Sequence, residues 1–187
     1  MSFKLSVFMG NYNDCITLPR AITALMTQTR PPDELIIVDD GSLDDSVKII
    51  REYQAIYPTI KLIINQTNRG ILDTIKKITG LLRGDYIYGA SANDYVLPGF
   101  FEDAMAIAEA RPKTGIIFGE VEYGDIEGNL LYRAGVKKWK KSLYANPARY
   151  LAECLEVEVP QHSWSAATIY NREELMRIGG FRTELSS

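Results

Sequence analysis

Three polar clusters, each closing an apolar run, hold the residues best suited to chemistry: Gly10-Asn11-Tyr12-Asn13, Asp39-Asp40-Gly41-Ser42 and Ser91-Ala92-Asn93-Asp94. A flat tyrosine beside a carboxylate suits a nucleobase, the ring stacking and the carboxylate accepting from a ring N–H. A carboxylate such as Asp94 suits a hard divalent cation, which prefers oxygen ligands. Singly, each cluster is ordinary. An Asp-Gly-Ser after a strand is most often a turn and a helix cap, and an Asn-Asp shortly before Pro98 is turn chemistry too. Together, in this order, they require a scaffold that brings three loop tips to one edge.

The apolar spacing supplies that scaffold. Lys4–Met9, Glu34–Val38, Ile60–Ile64, Asp85–Ala90 and Gly115–Glu120 read as strands. From about Asp14 to Gln28, Ile16, Leu18, Ile22, Leu25 and Met26 recur on one helical face, with Asn13 or Asp14 as cap and Pro31-Pro32 as stop. Ser42 with Asp45 is a capping pair for a helix through about Tyr57. A third helix follows Asn68-Arg69-Gly70 to about Leu82, and Pro98 opens a fourth running to about Ala110. Four strand–helix units ahead of Gly115 predict a parallel sheet with helices on both faces. In such sheets ligands lie past the carboxyl ends of the strands, where all three clusters fall. Beyond Val121 the pattern loosens: a hairpin over Glu122–Tyr132 turning at Glu127-Gly128-Asn129, a basic cluster Lys137–Lys141 around Trp139, a helix over Pro147–Leu155, a strand over Ser165–Tyr170, and a short helix Arg172–Ile178 before Gly179-Gly180-Phe181.

Composition narrows the function classes. The 187 residues are 46% hydrophobic and 24% charged, the balance of one globular domain. Lys and Arg number 21 against 24 Asp and Glu, so no positive field exists to hold nucleic-acid phosphates. Cys15 and Cys154 form neither a metal-binding pair nor a disulfide framework and read as buried small hydrophobes. One histidine, His162, excludes the usual zinc site. There is no membrane-length apolar run and no signal-peptide pattern at the start, so the expected compartment is the cytoplasm.

SVFMGNYND, followed by LPRAITALMTQTRPPDELIIVDDGSLDDS, resembles the opening of the family 2 glycosyltransferases, with their strand ending in P-T-Y-N and strand ending in V-D-D-G-S. GDYIYGASANDYVLPGFFE is similar to the family's G-x-Y-I-x-x-L-D-x-D-D-x-x-x-P-x-x-L-E, and IYNREELMRIGGF to its acceptor-side R-R-E-x-L-x-x-x-G-G-F. The likeness covers nearly the whole chain. It implies an α/β fold of the GT-A type, Rossmann-like, with a mostly parallel central sheet. Residues 1–120 would form the nucleotide-sugar-binding half and 121–187 an incomplete acceptor-side half of a single domain. The implied activity is inverting, metal-dependent transfer of a sugar from a nucleotide-diphosphate donor, UDP being the commonest carrier, to a glycan, lipid or protein acceptor. Tyr12 would stack on the nucleobase and Asp40 accept from it, with Gly10 and Asn11 giving backbone room. Asp94 would bind Mg2+ or Mn2+ at the diphosphate, and Asn93 would lie near the ribose or the metal's water shell.

The chain departs from that pattern in places. Gly10-Asn11 stands for P-T. Ser91 and Asn93 replace carboxylates, leaving Asp94 the only acid of the metal motif. The N-x-G-x-x-x-A-R-N stretch survives as Asn68 and Gly70, with Ile75 where an arginine is common and Lys76 or Lys77 as substitutes. The family's catalytic carboxylate lies in an E-D motif shortly after G-G-F. Glu184 is the one late candidate here, and the base, a closing helix and any membrane-associating tail that would reach the inner membrane face are expected beyond Ser187. His162 and Trp164 could touch the acceptor, although a loop histidine and a core indole are the plainer readings. The competing reading is a catalytically impaired nucleotide-sugar-binding module on the same fold. A sugar nucleotidyltransferase would want a basic, glycine-rich loop where GNYNDC stands, and an oxidoreductase a G-x-G-x-x-G.

Overall fold

A computed structural model describes residues 2–125, 128–134, 146 and 165–181 of the chain. The elements are β1 (Leu5–Asn11), α1 (Leu18–Met26), β2 (Glu34–Asp39), α2 (Ser46–Ile56), β3 (Ile60–Ile64), α3 (Ile71–Thr79), β4 (Tyr86–Ser91), α4 (Phe100–Ala110), β5 (Ile116–Phe118), β6 (Val121–Gly124), β7 (Leu130–Ala134), a 3-10 turn (Ser165–Ala167), β8 (Thr168–Asn171) and α5 (Arg172–Arg177).

The main sheet runs β3-β2-β1-β4-β8-β5, and β6 with β7 makes a separate hairpin. The strands β3, β2, β1 and β4 are parallel, as expected of apolar runs joined by helices. Side chains alternate across a strand, and here both faces are covered. Leu5, Val7 and Met9 of β1 with Leu35 and Ile37 of β2 join one core with Ile22 and Phe101 of the helices. Phe8, Ile36, Val38 and Ile87 turn the other way, onto Ile78, Leu82 and Leu175.

The sheet is not parallel throughout. β8 enters between β4 and β5 and runs antiparallel to both, Ile169 standing opposite Tyr88 on one side and Ile117 on the other. Ile169 is fully buried, so it fills a gap that the three residues of β5 alone would leave open.

Two helix starts differ from expectation. Residues 14–17 form a turn closed by Asp14 C=O, and α1 begins only at Leu18, where Pro19 fits the first turn because it has no N–H to leave unbonded. α2 starts at Ser46, whose N–H donates to Asp44 Oδ1 at 2.9 Å; Ser42 is bonded elsewhere. Cys15 is half-exposed rather than buried, its N–H donating to Asp44 Oδ2 at 3.0 Å. α3 stops at Thr79, three residues short of Leu82.

At the amino edge of the sheet, far from the clusters, Glu34 accepts from Ser6 Oγ at 2.6 Å, Arg83 N–H at 2.7 Å and Lys61 Nζ at 2.9 Å. Burial pushes its carboxyl upward, but the three donors outweigh that and hold it below its ordinary value. Asp44 is likewise brought down to about 2, by donors that outweigh burial. A depressed carboxyl adds stability above its unfolded value and loses it as pH falls through the folded one. The melting temperature should therefore hold down to about pH 5 and fall below about pH 4. A Glu34→Gln chain should melt lower at neutral pH and show a shallower acid slope; equal slopes in a thermal melt series would exclude this role for Glu34.

Candidate functional site

The parallel register sets the ends of four strands side by side. Asn11 lies opposite Asp39, Asp39 opposite Ile64, and Gly10 opposite Ser91. The first and second clusters are then knitted into one network. Asp40 N–H donates to Asn11 C=O at 2.8 Å. Asn11 Nδ2 donates to Asp39 Oδ2 at 2.7 Å and to Ser42 Oγ at 3.1 Å. Asn13 N–H donates to Ser42 Oγ at 2.9 Å, and Asn13 Oδ1 accepts from Leu43 N–H at 2.8 Å. Asn13 takes the left-handed backbone, φ 57°, that Asn tolerates better than most residues. Asn11 and Asp39 are buried in this network, whereas Tyr12 stands 43% exposed above it. Asp39, to which the sequence assigned no role, is the network's central acceptor.

Asp40 is only 6% exposed, and its carboxylate faces the loop that follows β3. It accepts from Asn65 Nδ2 at 2.8 Å, from Arg69 N–H at 3.0 and 2.9 Å, and from Gly70 N–H at 2.7 Å. A carboxylate offers about four lone-pair sites, and three N–H groups take most of them, Arg69 N–H being shared between both oxygens. Burial acts to raise the Asp40 carboxyl, and the donors together lower it below the ordinary value. Asp40 thus fixes the entry to α3, whose cap Gly70 has φ 84°. Lys77 Nζ donates to Asn65 Oδ1 at 2.9 Å and extends the same chain of bonds. Beneath it, Gly10 lies close to α3: a Cβ there would sit 2.9 Å from Ile71 Cδ1, so that side chain would have to shift. Asn11 Oδ1 and Thr74 Oγ1 are buried without a hydrogen-bond partner among the described residues.

The third cluster is more open. Ser91 Oγ is bonded to Asn93 Oδ1, and Asp94 N–H closes a turn on Ser91 C=O at 3.3 Å. Asn93 and Asp94 are exposed, yet Asp94 borders a small hollow walled by Met9, Leu25, Tyr88 and Val96, and loss of water there raises its carboxyl. α1 and the residues just after it hold the segment that follows. Gln28 Nε2 donates to Leu97 C=O at 3.1 Å and Val96 C=O at 3.4 Å, and the Arg20 guanidinium lies 3.7 Å over the Tyr95 ring. Arg20, Gln28 and Tyr95 were not singled out from the sequence, because the contacts that join residues 20 and 28 to the segment after β4 have no local signature.

Among the described residues no group of three His, Cys, Asp or Glu side chains gathers to hold a metal. Mg2+ and Mn2+ do not demand one, because such ions take one or two carboxylates and complete their shell with water and substrate phosphate. The open Asp94 carboxylate, with amide and hydroxyl oxygens beside it, fits that chemistry. The other sites read from the sequence, Glu184, His162 and Trp164, lie outside the described residues, as do Lys137–Lys141, Pro147–Leu155 and Cys154. No helix among the described residues is long and apolar enough to cross a membrane.

Comparison with known proteins agrees with this architecture. The profile of Glycosyl transferase family 2 matches residues 6–174. Chondroitin synthase of Escherichia coli is 30% identical over 129 residues, covering 68% of this chain and 18% of that enzyme. The crystal structure of Staphylococcus aureus TarS 1-349 in complex with UDP-GlcNAc superposes with a TM-score of 0.73 at 18% identity, over 94% of this chain and 47% of that one. Mannosyltransferase PcManGT from Pyrobaculum calidifontis, in complex with GDP-Man and Mn2+, gives a TM-score of 0.68 at 17% identity, over 98% and 49%. The chain thus spans about half, or less, of the length of these proteins.

Proposed function

The chain belongs to glycosyl transferase family 2, and from that premise we propose that it binds a nucleotide-diphosphate sugar, with UDP as carrier, at the carboxyl edge of its parallel strands and passes the sugar to a glycan, lipid or protein hydroxyl. The observation that carries this reading is the alignment at one level of an exposed stacking ring, Tyr12, a buried polar frame around Asp39 and Asp40, and an open carboxylate, Asp94. A flat ring over a rigid polar frame suits a nucleobase. The open carboxylate lies at the end of the neighbouring strand, the side on which a diphosphate would extend.

Each residue then has a defined task. Tyr12 stacks on the base. The Asn11–Asp39–Ser42 network keeps the loop beneath Tyr12 rigid, so little order is lost on binding. Asp40 shapes the wall formed by residues 65–70 and accepts from the base at its remaining edge. Asp94, with Asn93 beside it, would hold Mg2+ or Mn2+. When bound, that ion supplies Lewis-acid neutralisation of the charge on the departing nucleoside diphosphate. The acceptor hydroxyl attacks the anomeric carbon from the face opposite the diphosphate, which inverts its configuration, and a carboxylate of the acceptor side takes the proton.

The test is a thermal melt with UDP and with GDP, each with and without MnCl2. UDP with manganese at about a hundred times its dissociation constant should raise stability by ~2.7 kcal/mol. For a chain of this size that is a shift of roughly 5–10 °C. A larger shift with GDP would overturn the choice of uridine, and no shift with either would overturn the site. The bond from Ser91 to Asn93 Oδ1, which draws that oxygen away from a metal, favours a second reading as a nucleotide-sugar-binding module with impaired transfer. Slow hydrolysis of a bound UDP-sugar would argue for the enzyme, and its absence for the module.

A further inference from the structure

α1 and the residues just after it touch the segment carrying Asp94 at two points eight residues apart, Arg20 and Gln28, and only one of them is ordinary packing. Gln28, buried on the core side, donates to the carbonyls of Val96 and Leu97. Arg20, on the solvent side, lays its guanidinium flat on Tyr95, the residue next to Asp94. Gly128, at the turn of the β6–β7 hairpin, lies close to the same guanidinium. A Cβ added at Gly128 would fall inside van der Waals contact distance of the Arg20 terminal nitrogens, with Nη1 at 2.9 Å. Asp125 braces that turn, accepting from Asn129 N–H at 2.7 Å. The guanidinium therefore lies against both the Asp94 segment and the β6–β7 hairpin. Nothing in the fold of the main sheet demands a cation there.

We propose that Arg20 is a positioning residue: by clasping Tyr95 to the Gly128 turn it fixes the segment that carries Asp94, and so sets how tightly a divalent cation is held together with the donor's diphosphate. The inference rests on the assignment of Asp94 to the metal. A flexible Asp94 would have to be ordered each time a cation binds, and that ordering weakens binding. Arg suits the place because its planar fork can stack on a ring and present N–H groups edgewise to a backbone turn, which an ammonium cannot do together.

The test is calorimetric titration of UDP, with and without MnCl2, into the chain and its variants, the readout being the factor by which manganese tightens UDP. A cation–π contact at an exposed site is worth about 0.5–1 kcal/mol, a factor of about two to five. Arg20→Ala and Tyr95→Leu should each cut the manganese factor by about that amount while metal-free UDP binding stays unchanged. Tyr95→Phe should keep the whole factor, since the ring remains, and Arg20→Lys should restore part of it. A folded Arg20→Ala chain with the full manganese factor overturns the clasp alone. A parent chain indifferent to manganese overturns the Asp94 assignment and the clasp with it. Should Arg20→Ala fail to fold, Tyr95→Leu, on an exposed segment, carries the same decision.

Discussion

Replacing Asp94 by alanine is expected to abolish the manganese-dependent part of UDP binding and to leave the melting temperature of the unliganded chain unchanged or slightly higher. The reasoning starts from burial. Asp94 is exposed by area but sits at the lip of a hollow walled by Met9, Leu25 and Val96, and the loss of water raises its carboxyl above the ordinary value. A carboxyl raised by folding is one whose charged form the fold disfavours, so its removal relieves the chain at neutral pH. The same shift predicts a pH effect. Protons compete with the cation for this carboxylate, so manganese-dependent binding should fade, as pH drops, at a higher pH than an unperturbed aspartate would give. Loss of the only carboxylate in the third cluster should weaken UDP with manganese at least about tenfold, or ~1.4 kcal/mol. Metal-free UDP binding should stay the same. Asp94→Asn keeps an oxygen ligand without charge and should fall between. A titration in which manganese tightens UDP equally in the parent and Asp94→Ala chains would remove Asp94 from the metal site.

Much of the scaffold was legible because its signals are local. β1 and β2 carry unbroken apolar runs on both faces, Val7–Met9 and Leu35–Val38, and only a strand covered on both faces needs that. The polar clusters break those runs abruptly, and topology carries such breaks to one edge. β8 was legible as a strand but not as a neighbour of β4, since pairing between residues 88 and 169 has no local signature. The start of α1 was misjudged because a distant carboxylate, Asp44, captures Cys15 N–H and holds residues 14–17 in a turn. The network beneath Tyr12 could be guessed from its short polar residues. The hold of Asp40 on Arg69 and Gly70 could not, because both donors are backbone N–H groups that any sequence would supply. The one available hint was Asn68-Arg69-Gly70, a turn whose N–H groups need an acceptor.

That hold makes Asp40 the residue whose loss should do the broadest damage. In Asp40→Ala the N–H of Arg69 and the amide of the buried Asn65 lose their acceptor, while Gly70 N–H loses one of two and keeps Asn68 Oδ1 at 2.9 Å. An unsatisfied buried donor costs about 1–3 kcal/mol. Arg69 and Gly70 lie near enough to solvent for water to replace part of the bonding, so a total of ~2–3 kcal/mol is expected, a drop in melting temperature of roughly 5–10 °C. Amide hydrogen exchange at Arg69 should lose its protection, and UDP should weaken with and without manganese alike. Asp40→Asn should do little better, because its NH2 would face donors. Asn65→Ala then separates the two roles of the carboxylate. If Asp40 acts only by reading the base, freeing Oδ1 from Asn65 should leave UDP binding intact or tighten it. If it acts by holding residues 65–70 in place, the same substitution should weaken UDP, and the Arg69 amide should exchange faster before any nucleotide is added. The geometry favours the second outcome, since three donors already converge on a side chain that is 6% exposed. A base reaching Asp40 would share its oxygens with the loop, so the order of residues 65–70 and the affinity for nucleotide should change together.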